Sequence, residues 1–165
     1  TAKQYVPKPV VHSTKGATVG IMAYGSTESA INEARAQLER DHGIKTDFMR
    51  VRALPFSPEV DEFVKKYDQI FVVEMNRDGQ LHQLLSLAYP ASVNSLKSVA
   101  FGDGMPASAK WIREGVLAQY IKVAAKAAKP AKKAVAKKLP VKKAAPKKTA
   151  AKKTKAAKSG KKGAK

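Results

Sequence analysis

The fold class that this sequence predicts is α/β, a layered sheet covered by helices. Two observations carry it. Short apolar runs alternate with stretches whose apolar residues recur at helical spacing, and this strand–helix order repeats up to about residue 120. Capping and turn residues stand where each pattern changes. Beyond that point lysine replaces the alternation, so the folded part and the bulk of the charge are separate regions of one chain.

Residues 1–17, punctuated by Pro7, Pro9 and Gly16, read as an extended lead-in segment in which "PVVHS" supplies a short edge strand. "TVGIMAY" (18–24) is a run of the kind buried on both faces of a parallel sheet. Ser26 is placed to cap the next helix, where Ala30, Ile31, Ala34 and Leu38 share a face and Gly43 ends it. "KTDFMRVRAL" (45–54) is a second strand. Ser57 as cap, Pro58 in the first turn and the early acids Glu59 and Asp61 open a second helix, with Val60, Phe63, Val64 and Tyr67 as its apolar stripe. "DQIFVVEM" (68–75) is a third strand, followed by a stripe of Leu81, Leu84, Leu85 and Ala88 ahead of Pro90. "KSVAF" (97–101) is a fourth, and a last helix runs over about 107–120.

The formal charge of +19 belongs to the tail. Residues 122–165 hold 18 of the 32 basic residues and no acid, leaving 14 bases against 13 acids in residues 1–121. Cysteine is absent, which excludes disulfides, thiolate nucleophiles and cysteine-held zinc or iron–sulfur clusters in this chain. No apolar run reaches the length of a membrane span, and the start lacks the apolar core of a secretory signal, so a cytoplasmic location is the expectation. A start at Thr1 rather than Met reads either as Met removal or as a piece of a longer polypeptide.

Few motifs carry chemistry. "AYGST" (23–27) opens a helix after a strand and could hold an anion on its backbone N–H groups, but it lacks the glycines of a dinucleotide fingerprint and the lysine of a P-loop. His12, His42 and His82 have no second ligand at metal-binding spacing and read as surface residues. There is no nucleophile elbow, and Asp61 and Glu62 lie on the polar side of an amphipathic helix. The polar stretch "EMNRDGQ" (74–80) is different: it concentrates functional groups at the carboxyl end of a strand, where open α/β sheets bind ligands. Its two readings are a joint, in which Asn76 or Asp78 caps the following helix and Gly79 permits the turn, and a corner that contacts a neighbour or ligand.

Four pieces, "GIMAYGST", "DFMRVRALPFSPEVDEFV", "IFVVEMNRDGQLHQLL" and "FGDGMPASAKWIREGV", resemble in order and spacing the C-terminal region of the alpha subunit of 2-oxoacid:ferredoxin oxidoreductases, with the 2-oxoglutarate-type enzyme most similar. "RALPF" and "NRDGQ" are the specific pieces; Met75 departs from the glutamine expected there. The resemblance implies a three-layer α/β/α sandwich over residues 18–121, akin to the transketolase C-terminal domain. Its mixed five-stranded sheet has a first, edge strand running antiparallel. It also implies an enzyme using thiamine diphosphate, Mg2+ and an iron–sulfur cluster to convert 2-oxoglutarate and CoA into succinyl-CoA and CO2 while reducing ferredoxin. In such enzymes the thiamine and metal contacts belong to other domains and to the beta subunit, so no catalytic, cofactor or metal residue is expected here and the chain alone is expected to be inactive. If strand 18–24 lies between the second and third runs, the crevice falls between two loops. The candidate interface or anion corner is then Gly25, Ser26, Thr27, Glu74, Asn76, Arg77, Asp78, Gly79 and Gln80. A related domain from an enzyme that does not use ferredoxin is a weaker fit to "NRDGQ".

The tail resembles the Lys/Ala/Pro tails of linker-histone-like proteins. Its composition cannot bury enough surface to fold, and disorder in solution is expected. The doublets Lys132 and Lys133, Lys137 and Lys138, Lys142 and Lys143, Lys147 and Lys148, and Lys152 and Lys153 neutralise phosphates without reading bases. This supports the alternative of a nucleic-acid-associated protein whose folded part is a scaffold. The electrostatic account predicts that affinity of the chain for duplex DNA falls by orders of magnitude between about 50 and 200 mM salt. Deletion of residues 122–165 removes that affinity; a filter-binding series that is flat in salt would contradict the account.

Overall fold

The computed structural model describes residues 2–120, so the expectations for the lysine-rich tail lie outside the described residues. A five-stranded sheet forms from β1 (Val10–His12), β2 (Val19–Tyr24), β3 (Thr46–Val51), β4 (Ile70–Glu74) and β5 (Leu96–Ala100) in the spatial order β1-β3-β2-β4-β5. β1 pairs antiparallel with β3, Val11 opposite Met49, and the other pairings are parallel. The helices are α1 (Glu28–His42), α2 (Pro58–Lys66), α3 (Gln80–Ala88) and α4 (Ala109–Gln119). The mixed sheet with one antiparallel edge strand is thus present as expected, including the short strand within "PVVHS".

Period-two alternation divides the strands between two core layers. Ile21, Ala23, Phe48, Phe71 and Val73 point to one face and pack on Ile31, Ala34 and Leu38 of α1 and Ile112 and Val116 of α4. Met22, Met49, Val51, Ile70 and Val72 point to the other, against Val60, Phe63 and Val64 of α2 and Leu81 and Leu85 of α3. Both faces of the central strands are buried, which is why they read as continuous apolar runs. Burying side chains the size of Phe48 and Phe71 stabilises the fold by about 1.5–3 kcal/mol each. Gly20 marks where α2 comes closest, since a Cβ there would stand 2.8 Å from Phe63 and 2.9 Å from Tyr67.

Several boundaries shift from the sequence expectation. The strands are shorter, β3 ending at Val51, where the chain turns through residues 52–54 into a cis Leu54–Pro55 bond. Thr27, not Ser26, takes the cap position of α1; its hydroxyl donates back to the Tyr24 carbonyl (3.4 Å), which ties it to the turn instead of to the helix amides. Leu84 and Ala88 are exposed, because on the nine-residue α3 only the i, i+4 pair Leu81 and Leu85 faces the sheet. Asp61 accepts from the Tyr89 hydroxyl, so it is engaged in the α2–α3 contact and is not a bare solvated acid. Gly43 closes α1 in the left-handed conformation as expected. Among the described residues no helix is long and apolar enough to cross a membrane.

Two polar clusters fix the lead-in chain to the sheet. Arg35 of α1 donates to the Thr46 carbonyl (2.9 Å), the Thr46 hydroxyl (3.1 Å) and the Thr14 hydroxyl (3.0 Å). Asp47, buried at the start of β3, accepts from the Thr14 amide (2.7 Å), from Lys66 Nζ (2.8 Å) and from the Tyr67 hydroxyl. Burial pulls the Asp47 carboxyl up, but Lys66, Tyr67 and the Thr14 amide outweigh it and hold the carboxyl below its ordinary value. Burial first, and then Asp47, push the Tyr67 phenol up.

A carboxyl held below its unfolded value stabilises the fold at pH above that unfolded value, about 3.9, and the contribution is lost as pH falls through the folded one. Asp47→Asn is therefore expected to cost about 1–3 kcal/mol at neutral pH and to flatten the acid limb of stability against pH. Urea unfolding of both proteins from pH 7 down to pH 3 checks this; parallel curves would remove Asp47 from the acid response.

Candidate functional site

β2 and β4 are neighbours, and their outgoing helices leave to opposite faces, α1 into one core layer and α3 into the other. The carboxyl ends of these two strands therefore form the switch point of the sheet, flanked by residues 25–27 and 75–79.

At this point the structure places a fully buried acid. The Glu74 side chain, the last of β4, accepts from the backbone N–H of Leu81 at Oε2 (2.9 Å) and of His82 at Oε1 (3.0 Å). These are early amides of α3, which have no carbonyl partner within the helix. Glu74 is thus the cap of α3, reaching forward from the strand. The expected caps do other work: the Asn76 side chain accepts from the Asp78 amide (3.2 Å), and the Asp78 side chain accepts from Arg77 Nε (3.1 Å) at the surface. Gly79 occupies the nominal cap position with φ +62°, a left-handed conformation that favours glycine. It is also hemmed in, because an added Cβ would lie 3.2 Å from Ser98 Oγ. The Arg77 backbone packs on Gly102 in the loop after β5, where a Cβ would come within 2.7 Å of Arg77 Cβ.

Beside the corner lies an open cleft of about 460 Å³. Its walls are Tyr24 and Gly25 from the end of β2, residues 50–54 from the end of β3, and Gln80, Leu81 and Leu84 from α3. Of the nine corner residues, only Gly25 and Gln80 reach this cleft. Thr27 is buried against Tyr24, Ser26 faces solvent, and Asn76, Arg77 and Asp78 form a self-bonded turn. Sequence reasoning missed Arg50 and Arg52 as site residues. Their signal was two arginines close together where β3 ends. Arg50 holds Glu28 Oε2 at 2.7 Å, and its buried Nε has no hydrogen-bond partner. Arg52 donates only weakly to the Lys8 carbonyl (3.5 Å) and has no carboxylate within ion-pair reach among the described residues.

The histidines do not converge. His12 contacts Glu28 (3.1 Å) and stacks on Phe48, and among the described residues no three His, Cys, Asp or Glu groups gather into a metal-binding set.

Comparison with known proteins sharpens this description. No family model matches the chain. It is 39% identical over 80 residues to the alpha subunit of 2-oxoacid:ferredoxin oxidoreductase 2 from Aeropyrum pernix, and the match covers 47% of this chain and 12% of that protein. Among solved structures it is similar to a 2-oxoglutarate:ferredoxin oxidoreductase from Magnetococcus marinus with 2-oxoglutarate, coenzyme A and succinyl-CoA bound. There the TM-score is 0.56 at 25% identity, over 71% of this chain and 20% of that one. It shares a fold with a split-gene transketolase in an inactive beta4 tetramer, with a TM-score of 0.56 at 20% identity, over 67% of this chain and 40% of that one. The chain is thus homologous to the oxidoreductase alpha subunit over part of its length and has a transketolase-like fold.

The capping geometry makes a direct prediction. Glu74→Ala leaves two helix amides without their acceptor and is expected to destabilise by about 1–3 kcal/mol or more. Glu74→Gln is expected to recover only part of this, since one of its two terminal atoms is a donor facing a donor. Asp78→Ala, at the surface of the same loop, should stay within about 0.5 kcal/mol. Denaturant midpoints of the three variants check the order; equal losses for Glu74→Ala and Asp78→Ala would refute the cap.

Proposed function

We propose that this chain supplies the transketolase C-terminal-like domain of the alpha part of a thiamine diphosphate-dependent 2-oxoacid:ferredoxin oxidoreductase, as a structural and interface domain and not as the site of chemistry. The observation that carries the proposal is the 39% identity over 80 residues to an oxidoreductase alpha subunit. The similarity to a structure holding 2-oxoglutarate, coenzyme A and succinyl-CoA supports 2-oxoglutarate as the 2-oxoacid. Succinyl-CoA, CO2 and reduced ferredoxin are then the products.

The local chemistry of the chain agrees with a supporting role. The Glu74 carboxylate, the most buried acid of the corner, is committed to two backbone amides and has its oxygens turned to α3. Among the described residues no three His, Cys, Asp or Glu groups gather, and a chain without cysteine does not fit a cysteine-held cluster. No step of the reaction is therefore assigned to them. Under this reading thiamine diphosphate, Mg2+ and the iron–sulfur cluster sit in other domains and in the beta subunit, and CoA and ferredoxin meet the complete enzyme.

Assembly with the remaining alpha-subunit domains and the beta subunit tests the proposal. The chain alone is expected to give no 2-oxoglutarate-dependent reduction of ferredoxin, and the assembled enzyme is expected to give it in the presence of CoA. Turnover by the chain alone would overturn the non-catalytic role. Full turnover by an assembly lacking residues 18–121 would overturn membership.

A further inference from the structure

We propose that the cleft between the ends of β2 and β3 and α3 is a docking surface for an acidic, apolar-tipped segment of the beta subunit, an inference that rests on the oxidoreductase reading for its partner and on the cleft for its chemistry. The walls combine two features seldom left together in water. Tyr24, Leu54 and Leu84 hold large apolar side chains 44%, 56% and 41% exposed around one opening. Arg52 stands among them without a carboxylate partner among the described residues, while Arg50 beside it is already paired with Glu28. An occupant that offers a carboxylate to Arg52 and an aliphatic side chain to the leucines satisfies both features.

Charge selects among the occupants. The chain's own tail carries 18 lysines and no acid, so the arginines repel it. A second copy docked with this cleft on the two-fold axis would set the arginine patch against its own image. An open cleft with aliphatic walls suits a side chain–bearing segment better than a small hydrated anion, which gains nothing from Leu54 and Leu84.

The test uses the full isotopically labelled chain with two probes. In the first arm the acetylated tetrapeptide DLEL is titrated while the backbone amides of Gly25, Val51, Leu54 and Gln80 are followed, a readout to which peptide held by the lysine tail does not contribute. DLEL is expected to shift these amides and the tetrapeptide KLKL is not. Arg52→Glu should weaken the DLEL response by about tenfold, whereas Lys110→Glu, the same charge change on α4, should leave it unchanged. Cleft amides unmoved by DLEL, or moved equally in Arg52→Glu, would overturn the site. In the second arm binding to the purified beta subunit is measured for the wild type and Arg52→Glu. Weaker binding of the variant supports the docking assignment, and equal binding overturns it while leaving the oxidoreductase reading intact. A wild type that ignores the beta subunit but responds to DLEL overturns the beta subunit as the occupant and leaves an acidic-segment site in place, the oxidoreductase reading being decided by the assembly experiment.

Discussion

Glu74 is the last residue of the most buried strand, and its carboxylate reaches over the loop to receive two amides from the first turn of α3. Burying such a group is costly unless each oxygen is paired, and a helix start is the one place in a backbone that offers several donors with no competing acceptor. The partial positive charge at that helix end adds to the attraction. The backbone of the same residue takes part as well, since the Glu74 carbonyl accepts from the Phe101 amide (2.9 Å) at the end of β5. One residue therefore binds β4, α3 and the segment after β5. The loop between must be short and tightly turned for the side chain to reach, which gives Gly79 its left-handed backbone, with a Cβ there only 3.2 Å from Ser98 Oγ.

What this constraint sets is the position of α3, and through it the shape of the cleft. With α3 anchored at its first turn, Leu81 and Leu85 face the sheet, while Gln80 and Leu84 are turned to the opening beside β2 and β3. The opposite wall is held independently, by Arg50 on Glu28. The cleft thus stands between two walls, each anchored by a buried or half-buried carboxylate, Glu74 on one side and Glu28 on the other. An anion of a ligand has no comparable place at the start of α3, because Glu74 already takes those amides.

The architecture was legible because it rests on local periodicity. Runs such as "GIMAY" and "IFVVE" are buried on both faces, and the expected stripes match the buried sides closely: Ile31, Ala34 and Leu38 are buried, with Ala30 only partly so, then Val60, Phe63, Val64 and Tyr67. The antiparallel edge strand followed from the resemblance, since three residues have too little pattern to give a direction. The polar chemistry was less legible because its partners are distant in sequence. Asp47 stands in a strand with nothing local to mark it, because its partners Lys66 and Tyr67 lie about twenty residues on, across a helix. Glu74 looked like a group delivered into a site, and only the path of the loop turns it back onto the helix. Leu84 fitted the α3 stripe by spacing, yet α3 turns only Leu81 and Leu85 to the sheet and leaves Leu84 on the cleft.

The polar density of "EMNRDGQ" then has a physical explanation that does not require catalysis. Glu74 and Gly79 are demanded by the cap, Asn76 by the turn that lets the cap form, where it accepts from the Asp78 amide, and Gln83 reinforces it by donating to the Asp78 carbonyl (2.6 Å). Each depends on the others, because a turn of any other length would withdraw the carboxylate from the amides. A loop built this way resists piecemeal substitution even when none of its side chains touches a substrate. That interdependence accounts for a loop that reads like an active site while serving as a mechanical joint. The neighbouring "RALPF" stretch differs in kind. Arg52 and Leu54 project from the joint into the cleft and have little to do for the fold itself, so their combination of charge and exposed apolar surface is the part of the corner left for a partner.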